Sequence, residues 1–552
     1  MITTTRPGPV RTFVLILLLA IVWLGPLGYR ALIKSDEGRY AEIARERHVS
    51  GDWVTPRMND LKYFYKPPLQ YWATAAAYGA LGENEFAARL WPALTGFLTI
   101  LFAGFTARRV FGAAYALPVA AVLASALWWN GLSHINALDG GVASFMAAAL
   151  FSLLLAQRDG IDRRVERNWM LACWAAMALA VLSKGLIGVV LPGAALVAYT
   201  LLARDWALWR RLHVVPGLIV FLALAAPWFV LVTRANPEFF QYFFVHEHFE
   251  RFLTSVHRRT APWWYFVPLL LASVLPWLAG LPGAVGAALR RGAQRDGFRP
   301  ALLALVWVVV IFLFFSASSS KLRSYILPVV PALALLIGLW LPGARRPAML
   351  AIAVVAGSIG IAGVGMAPFG ARFADEAWLV EAYRTFWHWI GAGAALLLAG
   401  SIALVALELR GRRLAGIVAL AAAGCAGTLI AMSGHEAVGR LTSAREVVRA
   451  AGVAFAADQP FYSVRYYDQT LPFYLKRTVT LVDYADEMEF GIRQEPHKVV
   501  PTLDAFMKRW EADRAPSAIM GPDTFDLLSG AGVAMRVIWK DPRRVLVVKE
   551  IR

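Results

Sequence analysis

Asp36 opens the string "SDEGRYAEIAR", directly after the first long apolar run of the chain. A carboxylate at such a place meets both water and lipid phosphate. It can accept a proton from a hydroxyl, orient an acceptor or bind a metal. It can equally serve a helix start, since Ser35 or Asp36 suits the N-cap and Glu37 favours the first turn. Basic residues recur in segments far apart in sequence: Arg39, Lys62 and Lys66, then Lys184, then Arg251, Arg258 and Arg259, then Lys321 and Arg323. The charge-assisted hydrogen bonds of Arg and Lys suit phosphate. Lys184 is the sharpest case, because it sits in the short "SKG" link between two apolar runs. An ionisable residue there is a functional candidate by default, with snorkelling to lipid headgroups as the plain alternative. "FFVHEHFERF" at 243–252 offers His246, Glu247, His248, Glu250 and Arg251. Histidine with carboxylate can hold a divalent metal, but H-x-H spacing is a weak signal beside H-E-x-x-H. Hydrogen bonding toward a substrate is the favoured role, and no required cofactor is legible. Asp139 in "HINALDGG" is either a second functional carboxylate or a helix N-cap. The chain has no Gly-rich nucleotide loop and no Ser-His-Asp order.

The elements that must position these residues are apolar. Of 552 residues, 59% are hydrophobic and 17% charged, where a soluble domain carries about a quarter charged. Runs long enough to cross a bilayer fall at about 12–33, 86–106, 112–130, 140–156, 169–183, 185–202, 213–233, 263–287, 300–316, 325–341, 348–366, 386–407 and 414–432. The expected fold class is an all-α polytopic membrane protein of about thirteen spans. The first run is long and lacks a small-x-small cleavage site, so it reads as a retained helix rather than a leader. A formal net charge of +18 would suggest nucleic acid in a soluble chain. Here the excess of Lys and Arg in short cytoplasmic connections accounts for it, and no nucleic-acid partner is expected. "ARRV" at 107–110, "QRDGIDRRVERN" at 157–168, "RRGAQRDGFR" at 290–299 and "LRGRR" at 409–413 all thread to one side with the N-terminus. The connections 34–85, 131–139, 183–185, 234–262, 316–325 and 367–385 thread to the other, as does everything beyond about 434. Positive charge there runs against the topological bias and calls for an anionic partner.

Within the first of those connections, residues 36–47 read as an amphipathic helix and "FYKPPLQYWATAAAYGAL" as a second, both lying along the membrane surface. Residues 1–433 form the transmembrane part. Residues 434–552 read as a small α/β domain, with "TVTLVDY" and "VAMRVIWK" as strands and "TLDAFMKRWEAD" as helix. Cys173 and Cys425 both fall within spans, so no disulfide framework is indicated.

"DEGRYAEIARE", "SGDWVTPRMNDLKYFYKPPLQYW", "ENEFAARLWPAL", "LSKGLIGVVLPG", "VHEHFERF" and "SSSKLRSYILPVVPALALL" together resemble the membrane glycosyltransferases that use polyprenyl-phosphate sugars. Among these the resemblance is to the branch that transfers 4-amino-4-deoxy-L-arabinose to lipid A. It implies the C-type glycosyltransferase fold in a Gram-negative inner membrane, N-terminus cytoplasmic and C-terminal domain periplasmic. It implies an undecaprenyl-phosphate-linked aminosugar as donor, lipid A as acceptor, a monomer among membrane lipids, and polymyxin resistance as the outcome. It gives Asp36 the catalytic carboxylate role. Arg39, Tyr63, Lys66, Lys184, Lys321 and Tyr325 then hold donor or acceptor phosphate, and Glu37, Asp139, His246, Glu247, His248 and Arg251 contact substrate. Members often carry Pro where this chain has Arg323, which leaves that residue's role open.

A sister enzyme glycosylating protein hydroxyls would need a true base for Ser or Thr. A flippase would show paired inverted repeats and broken midplane helices, and no such pairing is legible. An envelope sensor would leave the first-loop charges with capping alone.

Overall fold

The computed structural model describes residues 9–250, 261–452 and 459–550, with side chains at 9, 11 and 247–250 outside the description. Among them, nine helices are long and apolar enough to cross a membrane, or eleven if each of two bent pairs is one span. The count expected from the sequence was about thirteen. The first and sixth expected runs form shorter apolar helices, Thr12–Gly28 and Ile187–Ala203. The third and eighth are broken, Ala113–Ser125 with Leu127–Ser133 at 63° and Trp263–Ser273 with Leu278–Arg290 at 103°. Pro276 lies in the second break and has no N–H to give to a helix. The two breaks lean on each other. Leu127 N–H donates to Leu275 O at 3.0 Å and Trp277 Nε1–H to Ser125 Oγ at 2.9 Å. Backbone groups freed in an apolar interior are thereby re-satisfied.

Beyond the last span the chain forms a five-stranded sheet. With β1 (Arg57–Met58) and β2 (Leu61–Lys62) forming a hairpin in the first loop, its strands are β3 (Phe461–Val464), β4 (Thr480–Val482), β5 (Ser517–Met520), β6 (Met535–Lys540) and β7 (Val545–Lys549). Their order is β4-β3-β5-β7-β6. β3 runs parallel to β4 and β5, and β7 runs antiparallel to β5 and β6. The run "TLDAFMKRWEAD" contains a helix, Leu503–Ala512, capped by Thr502, whose side chain accepts from Ala505 N–H.

The sheet covers the first loop. Tyr40, Ile43, Met58, Leu61, Tyr63 and Tyr71 share one buried apolar cluster with Phe461, Leu481, Ile519 and Leu546. This changes the expected picture of 36–47. The helix forms, over Asp36–Ser50, but Tyr40 to Arg47 are all buried, so it is no surface-lying amphipathic helix. Its charged residues are matched inside the protein instead, Arg45 by Glu42 at 2.6 Å and 2.7 Å. The second run forms Leu69–Leu81, likewise with Tyr71 and Tyr78 buried. Asn59 and Asp60 take positive φ at the β1–β2 turn, the conformation that a two-residue hairpin needs and that Asn and Asp tolerate. The Asn59 amide then pairs with Val479, donating to its O at 2.7 Å and accepting from its N–H at 2.8 Å.

At Gly38 the two parts meet without room for a side chain. A Cβ there would stand 2.7 Å from the Gln469 carbonyl and from the Thr470 side chain. Overpacking of this kind costs about 1–3 kcal/mol. Gly38→Ala is expected to lower the thermal midpoint of the purified protein by several degrees, read by tryptophan fluorescence. An unchanged midpoint would mean that the contact is loose.

Candidate active site

A fully buried ion pair ties the loop after the first helix to the bundle. Arg89, in the helix Glu85–Val110, and Glu37 are both fully buried. Arg89 Nε donates to Glu37 Oε1 and Nη2 to Oε2, each at 2.7 Å. The remaining donors go to main-chain carbonyls: Nη1 to Leu27 O at 2.9 Å and Arg30 O at 2.7 Å, Nη2 to Ala31 O at 2.8 Å. These carbonyls follow the end of the first helix, where intrahelical partners run out. Glu37 also accepts from Ile33 N–H at 3.2 Å and Asn136 N–H at 3.0 Å. Burial alone would raise its carboxyl, but Arg89 opposes it by charge and hydrogen bond, with Arg30 and the Asn136 N–H adding to that. The net result is a drop from 4.5 to about 2.

With Glu37 fixed, the next residues on either side point elsewhere. Asp36 is half-exposed, and its Oδ1 accepts from Arg39 Nη1 at 2.6 Å. Arg39 Nη2 reaches across to Glu487 Oε2 at 2.5 Å, a carboxylate on the C-terminal domain. Gln469 Nε2 donates to the other oxygen of Glu487 at 2.5 Å. The N-cap readings fail. Ser35 occupies the cap of the first-loop helix and Ala137 that of Leu138–Ala156, and neither makes a side-chain capping bond. A cation takes each carboxylate instead, Arg39 for Asp36 and Lys184 for Asp139. Lys184 ends the helix Arg163–Lys184, and Gly185 follows with φ +93°, a turn that favours glycine. The Lys184 Nζ also stands 4.9 Å from the ring centre of Tyr325.

Tyrosines join the two halves of this cluster. Burial raises the Tyr40 hydroxyl well above its ordinary value, the Asp36 charge adds to this, Arg39 opposes it, and Tyr71 and Asp139 add again. Tyr40 therefore lies within the fields of both aspartates. Burial likewise raises Tyr63 well above the ordinary value, against Arg39 and with Glu487. Both phenols stay neutral and keep a proton to donate.

The other candidates are placed as follows. Lys66 is half-buried in the segment between β2 and the helix Leu69–Leu81, next to Tyr65, whose ring meets Tyr63 and Tyr242 at 4.6 Å and 5.5 Å. Lys62 is paired with Glu238 at 2.6 Å. Lys321 donates to two carbonyls of its own loop, Ser316 O at 3.1 Å and Ser318 O at 2.6 Å. Arg323 is exposed, and its carbonyl accepts from Trp128 Nε1–H at 3.1 Å. The His246 ring lies 5.3 Å from that of Tyr242. The side chains of Glu247 and His248 lie outside the description, and Arg251, Arg258 and Arg259 lie outside the described residues. Among the described residues no three His, Cys, Asp or Glu converge as a metal site. Arg89, Asn136, Glu238 and Glu487 were not anticipated. A buried-arginine signal existed for Arg89, an ionisable residue at the start of an apolar run.

The sequence model described as dolichyl-phosphate-mannose-protein mannosyltransferase matches residues 10–243, and that described as aminoarabinose transferase C-terminal domain matches residues 447–549. The fold and the relatives it matches define a multi-pass membrane glycosyltransferase of the C-type architecture. The undecaprenyl phosphate-alpha-4-amino-4-deoxy-L-arabinose arabinosyl transferase of Erwinia tasmaniensis is 34% identical over 404 residues, 69% of this chain and 71% of that one. The enzyme of the same name from Aeromonas salmonicida is 36% identical over 57% of each chain. The crystal structure of ArnT from Cupriavidus metallidurans bound to undecaprenyl phosphate superposes with a TM-score of 0.93 at 39% identity, over 98% of both chains. This chain belongs to the undecaprenyl phosphate-aminoarabinose arabinosyl transferase family.

A depressed carboxyl stabilises the fold above its ordinary value and loses that contribution as pH falls toward the folded value. For Glu37 the window runs from 4.5 down to about 2. A tenfold change in proton affinity is worth about 1.4 kcal/mol, so Glu37→Gln is expected to cost about 3 kcal/mol near pH 7. The difference in thermal midpoint between wild type and variant should shrink as pH falls below 4.5. A pH-independent difference would contradict the assigned charge state.

Proposed function

We propose that this protein transfers 4-amino-4-deoxy-L-arabinose from undecaprenyl phosphate to a phosphate of lipid A, at the periplasmic face of the bacterial inner membrane. The observation that carries this reading is the near-complete superposition on a relative holding undecaprenyl phosphate. In this orientation the basic connections and the N-terminus face the cytoplasm, the C-terminal domain faces the periplasm, and the chain acts as a monomer.

Both substrates are anions, and the site is rich in cations that carboxylates already hold. A donor phosphate entering beside Arg39 and Lys184 competes with Asp36, Glu487 and Asp139 for them. Lys66 completes the set, and the phenols of Tyr63 and Tyr325 add neutral donors. As the sugar–oxygen bond breaks, the leaving phosphate gains negative charge, which fixed cations stabilise more in the transition state than in the ground state. The acceptor phosphate is already anionic at neutral pH, so no strong base is needed. Asp36 serves to position the aminosugar and to steady its oxocarbenium-like carbon. A single displacement inverts that carbon, and trapping a glycosyl ester on Asp36 would overturn this route. These cations supply the charge stabilisation that a resident metal would otherwise give, so transfer should survive chelation. Placing an amine on lipid A lowers its net negative charge and weakens its attraction for cationic peptides, which accounts for polymyxin resistance.

Mass spectrometry of lipid A tests the reading, in a strain lacking its own aminoarabinose transferase but supplied with donor. Wild-type protein is expected to add an aminopentose, and Asp36→Asn at equal membrane abundance to add none. Unmodified lipid A with labelled membrane protein would point instead to a sister enzyme acting on Ser or Thr.

A further inference from the structure

The end of the helical bundle away from Asp36 carries a second cluster of charge. The helix Glu85–Val110 holds Arg89 near its start and Arg109 near its end, roughly 30 Å further along at 1.5 Å per residue. The helix Leu138–Ala156 likewise begins beside Asp139 and ends just before Arg158. At this far end Arg108, Arg109 and Arg158 line an open cavity of about 310 Å³ together with Ala113 and Asp159.

Three arginines around one cavity need explaining beyond an excess of basic residues on one side. Some other arginines at this end are matched by carboxylates: Arg211 by Asp296 at 2.7 Å, Arg295 by Glu166 at 2.5 Å, and Arg413 by Glu408. Among the described residues, Arg108, Arg109 and Arg158 have no carboxylate at ion-pair distance. Burial and then the like charge of Arg109 push the Arg158 guanidinium below its ordinary value, so the cluster works against itself as it stands. With Asp159 counted, the lining carries a net charge of +2, from three arginines and one aspartate.

The surroundings indicate the kind of anion. Arg109 lies 6.0 Å over the ring of Phe105, which is 42% exposed. Phe105 packs with Phe102 at 6.4 Å and Trp169 at 6.0 Å. The charged cavity thus sits at the ends of two apolar helices, beside an aromatic ledge whose exposed member is Phe105. Trp, here Trp169, collects at headgroup depth, and basic pockets at the ends of spans bind anionic lipid heads.

We propose that this cavity binds the phosphate headgroup of an anionic phospholipid in the leaflet opposite the transfer site. The guanidinium forks of Arg108, Arg109 and Arg158 hold the phosphate oxygens, and the Phe105 ledge meets the start of the acyl chains.

Native mass spectrometry of the purified full-length protein tests this, with dioleoylphosphatidylglycerol as probe and dioleoylphosphatidylcholine as zwitterionic reference. Arg108→Gln/Arg109→Gln/Arg158→Gln should weaken phosphatidylglycerol binding by about fivefold or more and leave phosphatidylcholine unaffected. Arg345→Gln/Arg410→Gln/Arg412→Gln removes the same charge from other exposed positions at this end and should bind as wild type. Should the first triple variant lose its thermal transition, Arg158→Gln alone replaces it, with a smaller loss expected. Equal losses in both triple variants would reduce the effect to net charge and overturn the site. Wild-type binding in the first variant would do the same. If millimolar inorganic phosphate displaces the lipid from wild type, the cavity is a free-phosphate site and the lipid assignment fails.

Discussion

All five N–H donors of Arg89 are used inside the protein, and the placement of the first loop follows from them. A buried guanidinium is costly unless every donor is met, and here the partners come from one short stretch, Leu27 to Glu37. Two results follow. The carbonyls beyond the first apolar helix are satisfied without a conventional cap, so the chain turns sharply at the edge of the bundle. Glu37 is also fixed in rotation, and because it lies in the first turn of a helix, Asp36 and Arg39 are aimed away from the buried pair. Removing either partner would leave an uncompensated buried charge, a penalty of about 3–5 kcal/mol. The half-exposed Asp36 is thus supported by residues fully closed to solvent.

The C-terminal domain completes the site rather than hanging from it. It presses on Gly38, seals the apolar side of Tyr40 and Tyr63, and contributes Glu487 to Arg39. The resulting pattern, carboxylate–cation–carboxylate across Asp36, Arg39 and Glu487, holds the arginine in position. Lys184 with Asp139 joins another cation to a single carboxylate, between the ends of two further helices. Such preorganisation limits the reorganisation left for the reaction itself.

Much of this was legible in residue order and some was not. Apolar runs locate the helices well, because a bilayer demands length and hydropathy and little else. They do not reveal the 63° and 103° breaks, which depend on Pro276 and on contacts between two distant segments. Asp36, Arg39 and Lys184 were found as charges out of place, and the structure puts each against a partner. The capping alternative for Asp36 and Asp139 failed because both lie inside their helices, past Ser35 and Ala137 at the caps, and a cation takes the oxygens of each. The first-loop helix was misjudged for a related reason. Its polar composition suggested a surface, and only the covering sheet makes it interior. Glu487 lies about 450 residues from Arg39, and nothing local distinguishes it from the other acidic residues of that domain.

The buried pair positions the site as well as stabilising the fold. Arg89→Lys separates the two roles, since lysine keeps the charge but lacks the fork that serves one carboxylate and three carbonyls together. The measurement is the turnover number of purified protein with saturating lipid-linked aminosugar and lipid A, at a temperature where wild type and variant are both fully folded. A fall of about tenfold to a hundredfold with the fold intact is the predicted result. A wild-type turnover number in the folded variant would contradict it.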